Sequence, residues 1–111
     1  MRVEKSREGN LQRYECWDTF TVAGFAVVRI DECVQILDIN VRREWRGRGV
    51  GSGLLAAILD DFGDRRITAE VFEERLPWYE RSGFRRVGEK GPLVVVEFSP
   101  SLTRKGASGN P

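Results

Sequence analysis

Trp45-Arg46-Gly47-Arg48-Gly49-Val50-Gly51-Ser52-Gly53 stands between an apolar, strand-like run and an amphipathic, helix-like one. Glycines let the backbone take left-handed angles and approach a ligand closely. Successive N–H groups can then converge on an anion at the positive end of a helix dipole. The stretch therefore predicts a loop for a phosphate or pyrophosphate, with Arg42, Arg43, Arg46 and Arg48 clustered to neutralise it. A solvated, glycine-rich turn that merely starts a helix is the competing reading.

Outward from the loop, hydrophobic periodicity sets the elements. Upstream, Val34 to Val41 is rich in β-branched residues, Phe20 to Ile30 reads as a longer strand with Gly24 at a bulge, and Leu11 to Trp17 as another. Arg2 to Lys5 is a weaker first strand, and the short links between these runs predict antiparallel hairpins. Downstream, Leu54, Leu55, Ile58, Leu59 and Phe62 share one helical face over Gly51 to Phe62, with Gly63 at the C-terminal cap position. Ile67 to Val71 follows as a short strand and Glu73 to Ser82 as a helix with Pro77 in its first turn and Gly83 at its end. Phe84 to Gly88 and Leu93 to Phe98 close as strands. The predicted order is ββββαβαββ: one α/β domain over residues 1–98, a mixed and mostly antiparallel sheet with flanking helices, then a Ser/Pro/Lys/Gly-rich tail over 99–111 expected to be disordered.

Composition excludes several classes. In 111 residues, 18 Lys+Arg against 17 Asp+Glu leave a net charge of +1, so the whole domain is not marked for nucleic acid or acidic lipid. No apolar run approaches the ~20 residues of a membrane span and the N-terminus lacks the apolar core of a signal peptide, which leads to the expectation of a cytoplasmic protein. Cys16 and Cys33 lack the number and spacing of a disulfide framework or metal site and read as small buried side chains, with Cys16 a minor candidate for contact with a thiol-bearing cofactor. There is no histidine, which removes the commonest general base and the Ser/His and Cys/His pairs.

The glycine stretch has rival motif readings. A phosphate-loop NTPase needs a lysine that Arg46 to Leu55 lacks. Gly51-Ser52-Gly53-Leu54-Leu55-Ala56 fits a dinucleotide fingerprint, with Glu70 near the expected position downstream. Only about 40 residues follow Glu70, however, too few for the further parallel crossovers that fold requires. The third reading joins Arg46-x-x-Gly49-x-Gly51 to Tyr79-Glu80-Arg81-Ser82-Gly83-Phe84. Together the two segments closely resemble the GNAT superfamily of acyl-CoA-dependent N-acyltransferases, over about half the chain from Ile39 to Phe84.

That resemblance implies roles. The backbone of Ile39 and Val41 would pair with the pantetheine amides of acetyl-CoA, and Arg46, Gly47, Arg48, Gly49, Val50, Gly51 and Ser52 would hold its pyrophosphate, Gly49 and Gly51 giving room for close approach. Tyr79 would protonate the departing thiolate, a thiol of pKa about 8.5 leaving more readily beside a phenol of pKa about 10. Tyr79 also shares a helical face with Leu76, so a purely packing role stands beside this one. Gln35 falls where part of the family has a basic glutamate and cannot take a proton. Glu70 and Asp38 are the nearby carboxylates, Glu70 being the candidate base, with a salt-bridge role or a relayed water as alternatives. The asparagine that many relatives set against pantetheine has no counterpart in Phe72 to Trp78.

The span from Lys5 to Phe20 is too short for the two helices that cover the acceptor side in typical members. An open cleft is expected, splayed after Val41, suited to a protein side chain or N-terminus, or closed by a second subunit in a homodimer. Trp17, Phe20, Trp45 and Trp78 are candidates to line it. The implied function is transfer of an acetyl group from acetyl-CoA to a primary amine on a protein or small molecule, with no nucleic-acid or membrane partner. The rivals are a non-catalytic acyl-CoA-binding module and a plain structural domain.

Overall fold

A computed structural model describes residues 1–99 of the chain. Its strands are β1 (Arg2–Glu8), β2 (Leu11–Asp18), β3 (Thr21–Ile30), β4 (Val34–Val41), β5 (Ile67–Val71), β6 (Arg85–Lys90) and β7 (Leu93–Phe98), with helices α1 (Val50–Phe62) and α2 (Leu76–Glu80). The expected order ββββαβαββ is the observed one. All seven strands form one sheet in the order β1-β2-β3-β4-β5-β7-β6, antiparallel throughout except for the β4–β5 pair, which α1 bridges. The tail expected from residue 99 lies, from residue 100 on, outside the described residues.

Boundaries shift where turn chemistry overrides hydrophobicity. Phe20, expected as the first residue of a strand, stands with Thr19 in the β2–β3 turn and is 88% exposed. β1 runs on to Glu8, paired along its whole length with β2. The helix expected over Glu73 to Ser82 divides into a 3₁₀ turn at Glu73–Arg75 and the five residues of α2. The chain then turns at Gly83 (φ 97°), and Phe84 is a buried core residue ahead of β6 rather than part of it.

One face of the sheet carries the core. Tyr14 and Cys16 of β2, Ala26 and Val28 of β3, Val34 and Ile36 of β4, Ile67 and Ala69 of β5 and Val94 and Val96 of β7 are buried against Leu54, Leu55 and Ile58 of α1 and against Tyr79 and Phe84. Each large aliphatic side chain fully buried this way contributes about 1.5–3 kcal/mol of transfer free energy. Gly24 lets α1 settle closely: a Cβ there would stand 2.8 Å from the Asn40 carbonyl oxygen and 2.9 Å from a Val50 methyl. The bulge expected at Gly24 is beside it, Ala23 being the extra residue between the Cys16–Gly24 and Trp17–Val22 pairs. Among the described residues no helix packs on the opposite face, where Arg13 lies over the Phe25 ring (4.3 Å) and Arg2 near that of Trp17 (5.4 Å).

A second irregularity shapes the site. Register along β3–β4 passes from Val27–Asp38 to Val28–Ile36, leaving Leu37 as an extra residue in β4. A bulge bends its strand, and β4 pairs with β5 only through Val34–Ile67, Gln35–Thr68 and Ile36–Ala69. The two strands thus part after Ile36, five residues earlier than the expected splay after Val41.

Candidate functional site

The gap between β4 and β5 opens into a cleft of about 550 Å³ that runs from the glycine loop past Glu70 to Tyr79. Its first wall is β4. Arg42 N–H donates to the Ala23 carbonyl of β3 at 2.9 Å, and strand residues alternate the direction of their main-chain groups. Val41 and Ile39 therefore turn theirs toward the gap, where β5 no longer pairs with them. This is an open strand edge of the kind that takes an extended amide ligand.

At the end of that edge Gly47 (φ 77°) and Gly49 (φ 83°) supply the left-handed turns. Gly51, read from sequence as a third permissive glycine, lies inside α1 instead; a Cβ on it would only touch Trp78 and Val41, at 3.5 and 3.6 Å. The first intrahelical bond of α1 runs from Gly53 N–H to the Gly49 carbonyl, at 2.9 Å. The N–H groups of Val50, Gly51 and Ser52 precede it, with no capping side chain and no acidic residue in the first turn. A positive dipole end, uncapped donors and the exposed Arg46 and Arg48 form an arrangement that can hold an anion, Arg46 lining the cleft and Arg48 standing beside it. Arg46 Nε donates to the Val41 carbonyl at 3.1 Å and Arg48 lies over the Trp45 ring at 5.0 Å, so both guanidinium groups are drawn in against the loop.

Tyr79 closes the core side of the cleft. It is 6% exposed, edge-on to Trp78 and Phe84 with ring centroids 4.9 and 5.3 Å away. Its hydroxyl makes no hydrogen bond among the described residues, and no buried side-chain polar atom there lacks a partner, so the hydroxyl reaches the open cleft rather than a sealed pocket. Burial pushes the phenol up to about 12, Arg75 pulling it down and Asp38 adding to the rise. Asp38 and Arg75 both line the cleft.

Glu70 is on the bare face of the sheet, alternating with the buried Ala69 and Val71. It lines the cleft and accepts a hydrogen bond from Lys90 Nζ at 3.2 Å. Gln35, placed by counting at the position of a family base, instead lies in the still-paired part of β4, where Arg29 donates to it at 3.4 Å, outside the cleft lining. Cys16 is core, and Trp17 and Phe20 do not line the cleft, whereas Trp45 and Trp78 do. Arg75 is a cleft residue that sequence reasoning missed, as are Asn40 and Phe72; for Arg75, Tyr79 four positions on is the only signal. No helix among the described residues is long and apolar enough to cross a membrane.

Comparison with known proteins follows the same geometry. The profile of the acetyltransferase (GNAT) domain matches residues 14–86. Among solved structures, the PaiA N-acetyltransferase from Thermoplasma acidophilum in complex with coenzyme A is 18% identical with a TM-score of 0.71, over 81% of this chain and 61% of that one. ElaA of Escherichia coli is 20% identical with a TM-score of 0.74, over 83% of this chain and 70% of that one. The ribosomal-protein-S18-alanine N-acetyltransferase of Escherichia coli is 15% identical with a TM-score of 0.75, over 86% of this chain and 72% of that one. The chain therefore spans 61–72% of the length of these three structures. No curated protein sequence matches it.

Proposed function

The chain belongs to the GNAT acetyltransferase family, and on that premise we propose that it moves an acetyl group from acetyl-CoA to a primary amine by direct attack. The observation that carries this reading is the continuity of the cleft. Uncapped N–H groups at the start of α1, the free edge at Ile39 and Val41 and the Tyr79 hydroxyl lie in order along one wall-to-wall channel. That order matches the pyrophosphate, pantetheine and thioester of the donor.

In this reading Val50, Gly51 and Ser52 N–H groups, aided by Arg46 and Arg48, hold the pyrophosphate after Gly47 and Gly49 have turned the loop. The main chain of Ile39 and Val41 pairs with the pantetheine amides, and a β4 N–H on the Ile39 side, farther from the loop, steadies the carbonyl oxygen as it gains charge. The amine enters from the bare face, where Glu70 receives its proton directly or through a water. It attacks the carbonyl carbon, the C–S bond breaks, and the Tyr79 hydroxyl donates a hydrogen bond to the departing thiolate. With only one sheet face covered among the described residues, the acceptor side suits the side chain or N-terminus of a protein, and a second copy of the chain is the other occupant that would close it.

Calorimetry with acetyl-CoA, followed by incubation with small amines and lysine peptides under mass and free-thiol detection, tests the reading. Binding with acetyl transfer to an amine is the expected result. Saturable binding without transfer to any acceptor would instead make the domain an acyl-CoA-binding module, and absence of binding would remove the donor site itself.

A further inference from the structure

The carboxylate on the acceptor side of the cleft already holds a primary amine, and it belongs to this chain. Lys90 Nζ donates to Glu70 at 3.2 Å, and Glu70 lines the cleft. Strand register explains how two residues from different hairpins meet there. Val71 pairs with Val94, Glu70 with Val95 and Lys90 with Leu93, so the tip of the β6–β7 hairpin stands level with the end of β5, where the cleft opens. We propose that Lys90 is an acetylation site of this chain, modified within the same molecule by its own cleft; this rests on the acetyl-transfer reading above.

The chemistry requires nothing beyond acetyl-CoA. The Lys90 ammonium gives a proton to the Glu70 carboxylate, the neutral amine forms a C–N bond to the thioester carbonyl, the C–S bond breaks with the electron pair on sulfur, and the second proton shed by the nitrogen ends on that thiolate. The products are an Nε-acetyl amide and the free thiol of CoA. The Lys90 side chain is 71% exposed, and an ion pair this open is worth about 0–1 kcal/mol, so the amine is free to leave Glu70 for the thioester. The other described lysine is placed differently. Lys5 donates to Asp61 at 2.9 Å near the C-terminal end of α1, roughly 16 Å along that helix from the glycine loop at its start. Lysine is scarce in the sequence, with Lys5, Lys90 and Lys105 the only three, so a modified peptide identifies its site without ambiguity.

The test incubates the purified full chain with acetyl-CoA and follows each lysine by peptide mass spectrometry. The expected result is one acetyl group on Lys90, appearing with a first-order rate that does not change with protein concentration and at least about tenfold faster than in the heat-unfolded chain. Lys90→Arg keeps a cation beside Glu70 that cannot be acetylated, and it should still bind acetyl-CoA and serve an added amine. Lys90 modified no faster than Lys5, Lys105 or the unfolded chain, or at a rate proportional to protein concentration, would overturn the proposal. Failure of the underlying reading looks different: no heat of acetyl-CoA binding and no transfer to any added amine. Binding and transfer to an added amine with Lys90 untouched removes this inference alone.

Discussion

Replacing Tyr79 by phenylalanine takes away one oxygen and leaves the ring. The edge-to-face contacts with Trp78 and Phe84 survive, and the hydroxyl has no protein partner among the described residues, so no polar group is orphaned. Folding stability should change by less than about 1 kcal/mol. Turnover should change more. With burial pushing the phenol up to about 12 and a thiol near 8.5, complete proton delivery to the thiolate is uphill by about 5 kcal/mol. What the phenol supplies is a charge-assisted hydrogen bond, worth about 1.5–3 kcal/mol in the transition state, or about 10- to 150-fold in kcat. Free-thiol release under saturating acetyl-CoA, paired with calorimetric affinity for CoA, measures both quantities. The expected pattern is a kcat lower by that factor with CoA affinity within about twofold. An unchanged kcat would leave Tyr79 as a packing residue and refute the reasoning.

Gly49→Ala forces an L-residue to φ 83° in open space, a strain of about 1–2 kcal/mol, and the loop amides should shift enough to weaken CoA binding about tenfold by calorimetry; unchanged affinity would show that the cradle does not need this turn. Amide hydrogen exchange should find Ile39 and Val41 fast in the free chain and slowed by CoA, while their neighbour Arg42, bonded to Ala23, is slow in both. Burial pushes the Asp61 carboxyl up, but hydrogen bonds from Lys5 and Tyr14 outweigh it and hold it below the usual carboxylate range. The stability it contributes is present above that range and lost as pH falls through the folded value, so Asp61→Asn should flatten the acid limb of a melting-temperature profile. Both tyrosines are raised, Tyr79 by burial and Tyr14 by burial and the Asp61 carboxylate. Their stabilisation is complete below about 10 and lost as pH rises through the folded values, and ultraviolet difference titration should show neither ionising at pH 10 until the chain unfolds.

What sequence patterning reveals here is local. The strand bounds at Val34–Val41, Ile67–Val71 and Leu93–Phe98 follow from β-branched runs, and the first two of these elements carry the cleft walls. Gly49 and the arginines around it are legible for the same reason, because a left-handed turn before a helix leaves few other residue choices. The Leu37 bulge is not legible: an extra residue in one strand is defined by its partner in β3, and Val34 to Val41 reads as an ordinary strand without it. The early splay is therefore hidden too. Counting back from Arg46 put Gln35 in the site for that reason, since a count along one strand says nothing about where its neighbour leaves it. The Lys90–Glu70 contact is hidden by distance, 20 residues apart in sequence and joined only by the register of three strands.

Among the described residues, the strand order leaves β1 and β6 with one unpaired side each. Such borders invite polymerisation, because exposed N–H and C=O rows recruit a strand from another molecule. Here β1 carries Arg2, Glu4, Lys5, Arg7 and Glu8, and β6 carries Arg85, Arg86, Glu89 and Lys90. Any neighbour seeking to extend the array would have to strip water from a dense charge row on either flank. Fibril growth is thus opposed at both ends of the sheet.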